Sequence, residues 1–265
     1  MSNVTVIGKN SFLARALQRN KDTKDWLFID HTEALSETDW INKTDILINC
    51  AYHPDLMRGE YSPVKDIDFL LSGYIAGKDI HYIMLSSRAA YGPAPDDLYL
   101  REDMTAAPDA PYGVNKLHTE ETLRQMIAPE KLTILRSANI FGNEYGRGTF
   151  FGMMLTNLKD KGILEFNIAP DARRDFLSVQ QWADDLVQIA SAPKGGLYNL
   201  GAGFGVSTQD MADMLISANG SGEVKYTDSS YNGQFILDTA KTKDAFSIKD
   251  YTASDLELDV KALFS

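Results

Sequence analysis

The chain has one cysteine, four histidines and a deficit of positive charge, and each scarcity removes a class of function. A single cysteine, Cys50, permits no disulfide within the chain. It falls inside an apolar run, where a buried structural thiol is expected rather than a nucleophile or a metal ligand. His, Cys, Asp and Glu nowhere cluster at metal-ligand spacing, so no metal site is expected. Lys and Arg number 26 against 37 Asp and Glu, and the net charge of −11 argues against nucleic acid or an anionic membrane as a partner. No apolar run approaches the length of a membrane span, and no leader-like segment opens the sequence. A soluble, cytoplasmic protein is the expectation. Internal repeats and low-complexity tracts are also missing.

What is present is enough for one sizeable core: 265 residues, 44% of them hydrophobic. Short apolar strands alternate with helical segments from residue 4 to about residue 142, with helices expected over 11–20, 64–77 and 113–127. That alternation predicts an α/β fold with a parallel sheet covered on both faces. The loop 92–111 holds four prolines and reads as an active-site margin. Beyond it, Asn143–Thr149 is glycine-rich, an amphipathic helix spans 150–161, and helices are expected over 180–191 and 207–219.

Two local patterns carry chemistry. Val4-Thr-Val-Ile7 runs into Gly8-Lys-Asn-Ser-Phe-Leu-Ala14, a strand, a tight turn and a helix start. A dinucleotide pyrophosphate rests in such a place on backbone N–H groups and the helix dipole. Asp30 ends the second strand 22 residues after Gly8, where an acidic group accepts from the adenosine ribose hydroxyls. The glycine fingerprint is incomplete, since Ser11 and Ala14 stand at its second and third positions. The other pattern is Tyr112-Gly-Val-Asn-Lys116, which follows Ser87 by 25 residues. Tyr and Lys four apart share one helix face. A fixed cation beside a phenol favours the phenolate and suits it to proton transfer at neutral pH, and a serine hydroxyl can steady the same substrate oxygen.

Together these segments resemble the extended short-chain dehydrogenase/reductases, the NAD-dependent epimerase/dehydratase family that acts on nucleotide sugars. Further ordered matches carry the resemblance: Asp45–Ala51, Tyr82–Gly92, Pro111–Glu120, Leu135–Gly142, Arg174-Asp-Phe176 and Leu197–Gly201. The resemblance implies a Rossmann-type doubly wound parallel sheet with a small C-terminal substrate-binding region. Residues 1–142 are mainly the NAD(P)-binding region and 143–265 mainly the substrate region, with segments returning to the sheet. It implies Ser87, Tyr112 and Lys116 as the catalytic set, with Ser87 chosen over Ser86. It places the cofactor against Gly8, Lys9, Ser11, Phe12, Leu13, Asp30, Cys50, Ala51, Tyr52, Leu85, Tyr112, Lys116 and Asn139. Substrate contacts fall on Ser87, Arg88, Asn139 and Arg174. Lys9 is read equally well as a solvated turn residue, and His53 as an ordinary loop histidine.

The resemblance also narrows the reaction. Arg88 and Ala89 stand where many family dehydratases carry an acidic pair, which argues against that chemistry. The short chain and the segments Gly8-Lys9 and Asn49–His53 are similar to the family's 4-ketoreductases, the dTDP-4-dehydrorhamnose reductase group. Reduction of a 4-keto-6-deoxy nucleotide sugar is therefore the expectation, with a 4-epimerase and a non-catalytic cofactor-sensing or scaffold protein as alternatives. Asp30 would repel a 2′-phosphate and favours NAD(H), whereas Lys9 would allow NADP(H). Asp228–Gln234 holds no Arg of the kind family members use for the nucleotide, so Arg147 or Arg173 could serve instead, or the oxo-substrate is smaller. A homodimer through the Tyr112 helix is implied, with Leu117, Leu123 and Met126 fitting either that interface or the core.

Overall fold

The structure, a computed structural model, describes residues 2–227 and 233–264. The first half alternates regularly: β1 (Val4–Ile7), α1 (Phe12–Arg19), β2 (Leu27–Ile29), α2 (His31–Ser36), β3 (Ile46–Asn49), α3 (Ile67–Ile75), β4 (His81–Ser87), β5 (Tyr99–Leu100), α4 (Pro111–Met126), β6 (Leu132–Ser137) and β7 (Asn139–Phe141). The second half is α5 (Phe150–Lys161), β8 (Ile163–Phe166), β9 (Arg173–Arg174), β10 (Phe176–Ser178), α6 (Val179–Ser191), β11 (Gly196–Leu200), β12 (Val206–Ser207), α7 (Thr208–Asn219), β13 (Glu223–Tyr226), β14 (Ile236–Leu237), α8 (Ala240–Phe246) and α9 (Ala253–Ala262). A six-stranded sheet of order β11-β6-β4-β3-β1-β2 forms the centre, and every pairing in it is parallel. This is the expected Rossmann-type sheet.

Its two faces follow from alternation along each strand. Val4, Val6, Ile46, Ile48, Ile83 and Leu85 point to one side and pack with Ala14, Leu17, Trp182 and Leu186 from α1 and α6. Ile7, Leu47, Tyr82 and Met84 point to the other and meet Leu71 of α3 and Leu123 of α4. Each fully buried aliphatic or aromatic side chain contributes roughly 1.5–3 kcal/mol by leaving water. Leu123 is thereby committed to the core, while Leu117 and Met126 are half-buried and the Met126 sulfur accepts from Ser72 Oγ at 3.1 Å.

The helix ends are marked as the sequence dictates. Ser11 Oγ accepts from Ala14 N at 3.1 Å to start α1, and Pro111 occupies the first turn of α4, where its missing N–H costs nothing. Thr149 caps α5 and Gly162, at φ 68°, ends it. The short α2 departs from the sequence reading; Asp30 nucleates it by accepting from Thr32 N. Four two-stranded pairs, β7 with β10, β9 with β12, β8 with β13 and β5 with β14, build the region beside the sheet. No helix among the described residues is long and apolar enough to cross a membrane.

The chain leaves β1 toward β2 on one side and returns as β3 on the other, so the order reverses between β1 and β3. Ligands of open α/β sheets bind beyond the strand ends at such a point.

Candidate active site

Beyond those strand ends lies a cavity of about 380 Å³ lined by Ser87, Tyr112, Lys116, Tyr52, Asn139 and Glu144, among others. A second, of about 880 Å³, is lined by Gly8, Asn10, Asp30 and His31. The two share Ser11, Phe12, Cys50, Ala51, Tyr52 and Arg147 and so form one groove.

Ser87 is the last residue of β4, and its Oγ accepts from Ala89 N at 3.2 Å. That contact leaves the hydroxyl proton available to a ligand oxygen. Its neighbour Ser86 points to the opposite face and donates to the buried Glu120 Oε1 at 2.5 Å. Glu120 also receives the buried Arg136 guanidinium in a two-pronged pair, Nε to Oε1 at 2.9 Å and Nη2 to Oε2 at 2.7 Å. The Arg136 guanidinium lies 4.1 Å from the Tyr91 ring, and Tyr91 in turn donates to Asn199 Oδ1 at 2.8 Å. These buried bonds tie β4, α4, β6 and β11 together behind Ser87.

Lys116 is only 4% exposed, and its Nζ donates to Leu85 O at 2.8 Å while lying 4.4 Å from the Tyr52 ring. Tyr52 meets the Tyr112 ring edge-on at 5.4 Å, so the lysine, Tyr52 and Tyr112 form one packed unit. Burial, with the nearby Tyr112 as a smaller cause, pushes the Tyr52 phenol well up, which keeps it protonated; it donates to Leu56 O at 3.1 Å. Asn115 of α4 donates to Leu56 O and Gly59 O, both at 2.9 Å, and holds this wall in place. Behind Lys116 sits Asp68, whose carboxyl is pushed up to about 6 by burial while the lysine charge opposes the shift. Tyr82 donates to it at 2.7 Å. Burial pushes the Cys50 thiol far up, so this residue is no thiolate nucleophile.

The other half of the groove fits a dinucleotide. Gly8 has φ 86°, and a Cβ there would stand 2.8 Å from Ala51 N, so only glycine lets β1 and β3 approach this closely. Ser11 serves as a helix cap, which gives the non-glycine residue at that position a structural use. Asp30 lines the cavity, and hydrogen bonds from Thr32 hold its carboxyl below the usual range, so it is ionised. Lys9 turns away to Glu33, at 3.2 Å, and lies outside the lining. Asn139 lines the first cavity, and its buried Nδ2 has no hydrogen-bond partner among the described residues.

Two expected substrate residues lie elsewhere. Arg88 stacks 4.3 Å from the Phe235 ring and lines a separate cavity of about 470 Å³ with Asp96 and Asp109. Arg174 is buried, donates from Nε to Gly233 O at 3.0 Å, and lies 5.0 Å from the Phe150 ring. The arginine-free stretch noted in the sequence falls largely on 228–232, outside the described residues. Glu144 was not anticipated: it is 2% exposed, and its Oε1 has no hydrogen-bond partner among the described residues. Its only sequence signal is an acid inside a glycine-rich loop. Among the described residues, no group of three or more His, Cys, Asp or Glu could hold a metal ion.

Comparison with known proteins agrees with this geometry. The model of the NAD dependent epimerase/dehydratase family matches residues 3–201. The chain belongs to that family. A nicotinamide cofactor follows from the membership and from the groove. A UDP-glucose 4-epimerase of Azospirillum brasilense is 29% identical over a 191-residue alignment that covers 60% of this chain and 55% of that relative. The match thus spans little more than half of the relative's length. Among solved structures, an NAD-dependent NDP-hexosamine 5,6-dehydratase of tunicamycin biosynthesis superposes with a TM-score of 0.81 at 20% identity, over 100% of this chain and 97% of that one. RMD from Pseudomonas aeruginosa, complexed with NADPH, gives 0.81 at 20% identity over 100% and 98%. At that identity these likenesses speak for the fold.

Proposed function

We propose that this enzyme reduces a keto group on a nucleotide-linked sugar, a 4-keto-6-deoxy sugar nucleotide, using NADH. The observation that carries the reading is the shared wall of Ser87, Tyr112 and Lys116 in one cavity, with Arg88 and Ala89 rather than carboxylates following Ser87. Positions 88 and 89 offer no acid to take a ring C–H proton, so hydride and proton exchange at a carbonyl is the chemistry the site supports best.

When bound, the reduced nicotinamide supplies a hydride to the carbonyl carbon. Tyr112 gives its phenolic proton to the carbonyl oxygen as charge develops there. Ser87, whose oxygen already accepts from Ala89 N, donates its hydroxyl hydrogen to the same atom. Lys116, fixed on Leu85 O, keeps a positive charge on the side where Tyr112 is left negative. Asn139, which lines the cavity and whose Nδ2 has no partner among the described residues, is assigned to a substrate phosphate oxygen. Asp30 favours the unphosphorylated ribose, and Lys9, paired with Glu33, offers little to a 2′-phosphate.

The similarity to a UDP-glucose 4-epimerase favours a second reading, in which the same residues oxidise and re-reduce C4 and the cofactor stays bound. Absorbance at 340 nm, followed with NADH and a panel of 4-keto-6-deoxy nucleotide sugars, separates the two. Sugar-dependent oxidation of NADH is the expected result. No oxidation, together with NAD released on denaturation, would replace the reductase with the epimerase.

A further inference from the structure

We propose that Arg147 is a pyrophosphate clasp for the dinucleotide, held across the groove by the buried Glu144. Arg147 lies on the loop between β7 and α5, far in sequence from the β1–α1 turn. Yet its guanidinium sits 4.8 Å from the ring of Phe12, in the first turn of α1, and it lines both halves of the groove. That is where backbone N–H groups at the start of α1 face an anion.

The turn itself is short of favourable contacts for two phosphates. Ser11 Oγ already takes the Ala14 N–H, and Lys9 pairs with Glu33 outside the lining. Arg147 brings a guanidinium to this point from the other side, and Arg58 lines the second cavity as well. Its Nε faces Glu144 Oε2 at 3.3 Å, which leaves the two terminal nitrogens as donors.

The loop is fastened for this purpose. Thr149 donates to Glu144 Oε2 at 2.7 Å, Arg147 N donates to Glu144 O at 2.9 Å, and Gly146 N donates to Thr156 Oγ1 at 2.8 Å. The second oxygen of Glu144, Oε1, is buried and has no hydrogen-bond partner among the described residues, and Glu144 lines the first cavity. A buried acceptor left open costs free energy unless a ligand donor meets it. A ribose hydroxyl next to the pyrophosphate is such a donor. The same diphosphate chemistry occurs in a nucleotide sugar; contact with Phe12 and continuity with the Gly8–Asp30 cavity assign the clasp to the cofactor.

The test is calorimetric binding of NAD, ADP-ribose and adenosine to wild type, Arg147→Ala and Arg147→Lys, with a nucleoside diphosphate sugar as a fourth ligand. Arg147 is half exposed, so both variants are expected to fold, and thermal melting checks this. Loss of a charge-assisted contact should weaken NAD and ADP-ribose by about tenfold or more. Adenosine, which has no phosphate, should bind unchanged, and Arg147→Lys should recover part of the loss. Unchanged NAD affinity in a folded Arg147→Ala overturns the clasp, as does equal weakening of adenosine. Weakening confined to the nucleoside diphosphate sugar moves Arg147 to the substrate and overturns it too. The readouts are of binding to protein first freed of any retained nucleotide, so they hold for a reductase and for an epimerase alike.

Discussion

The polar groups packed around Tyr112 have protein partners, whereas two buried polar atoms near Asn139 have none among the described residues. Lys116 donates to Leu85 O, Ser87 accepts from Ala89 N and Tyr52 donates to Leu56 O. Asn139 Nδ2 and Glu144 Oε1 are both buried atoms and have no hydrogen-bond partner among the described residues. The first arrangement is built before any ligand arrives, which is what transition-state stabilisation requires. The second carries a desolvation cost of about 1–3 kcal/mol for each open group, relieved when a ligand or a water supplies the partner. In the proposed reading, chemistry falls to groups already fixed by the fold and recognition to groups that the fold leaves open, all lining one cavity.

The comparison is broken most directly at Tyr112. Tyr112→Phe removes the proton donor but none of the partnered groups around it. Turnover in the 340 nm assay should fall roughly 100- to 10,000-fold while NAD affinity holds. Wild-type turnover in this variant would mean that the proton comes from another group.

Next in size is the buried pair behind Ser87. Glu120→Ala strands the Arg136 guanidinium, which is 2% exposed, and frees Ser86. Breaking a buried pair from one side costs about 3–5 kcal/mol, read as a lower urea midpoint. Glu120→Gln keeps acceptor and donor in place and should cost less. If Glu120→Ala loses under about 1 kcal/mol, the network is not what holds the end of β4.

A pH series sharpens the same end. The Asp68 carboxyl is raised by burial to about 6 in the folded protein, from an ordinary value near 3.8. A raised carboxyl stabilises the fold fully below its unfolded value, and that contribution is lost as pH rises through about 6. Asp68→Asn does not titrate, so its stability relative to wild type should climb between about pH 4 and pH 7, by on the order of 2 kcal/mol. A pH-independent difference would show that Asp68 does not titrate in this window.

The partnered end was also the legible one. Helical spacing alone puts Tyr112 and Lys116 on one face; it is the family resemblance, not periodicity, that joins Ser87 to them. The helix over 150–161 was likewise visible, because its amphipathic pattern is bracketed by Thr149 and Gly162. Pairs such as β5 with β14 were not, since two residues have no period. Glu144 was hidden for a different reason. Its significance lies in being buried without a partner, a property of tertiary packing that the Gly-rich segment around it does not encode. Arg88 and Arg174 were placed by motif alone, and the aromatic faces they stack on, Phe235 and Phe150, come from distant parts of the chain.

The smallest effect tests the open end. Asn139→Leu replaces the unpartnered amide with an apolar group of similar size. Where a polar group has no partner, such a change is neutral or stabilising, because a desolvated donor disappears. The expected outcome is a gain of up to about 1 kcal/mol in urea unfolding, alongside weaker binding of the nucleotide sugar. The same kind of truncation at Lys116 should destabilise, because Leu85 O and the Tyr52 ring would lose their partner. Opposite signs at the two ends are the signature of one built by the fold and one completed by the ligand. A stability loss at Asn139 would mean that its amide already has a use inside the protein, and the contrast would fail.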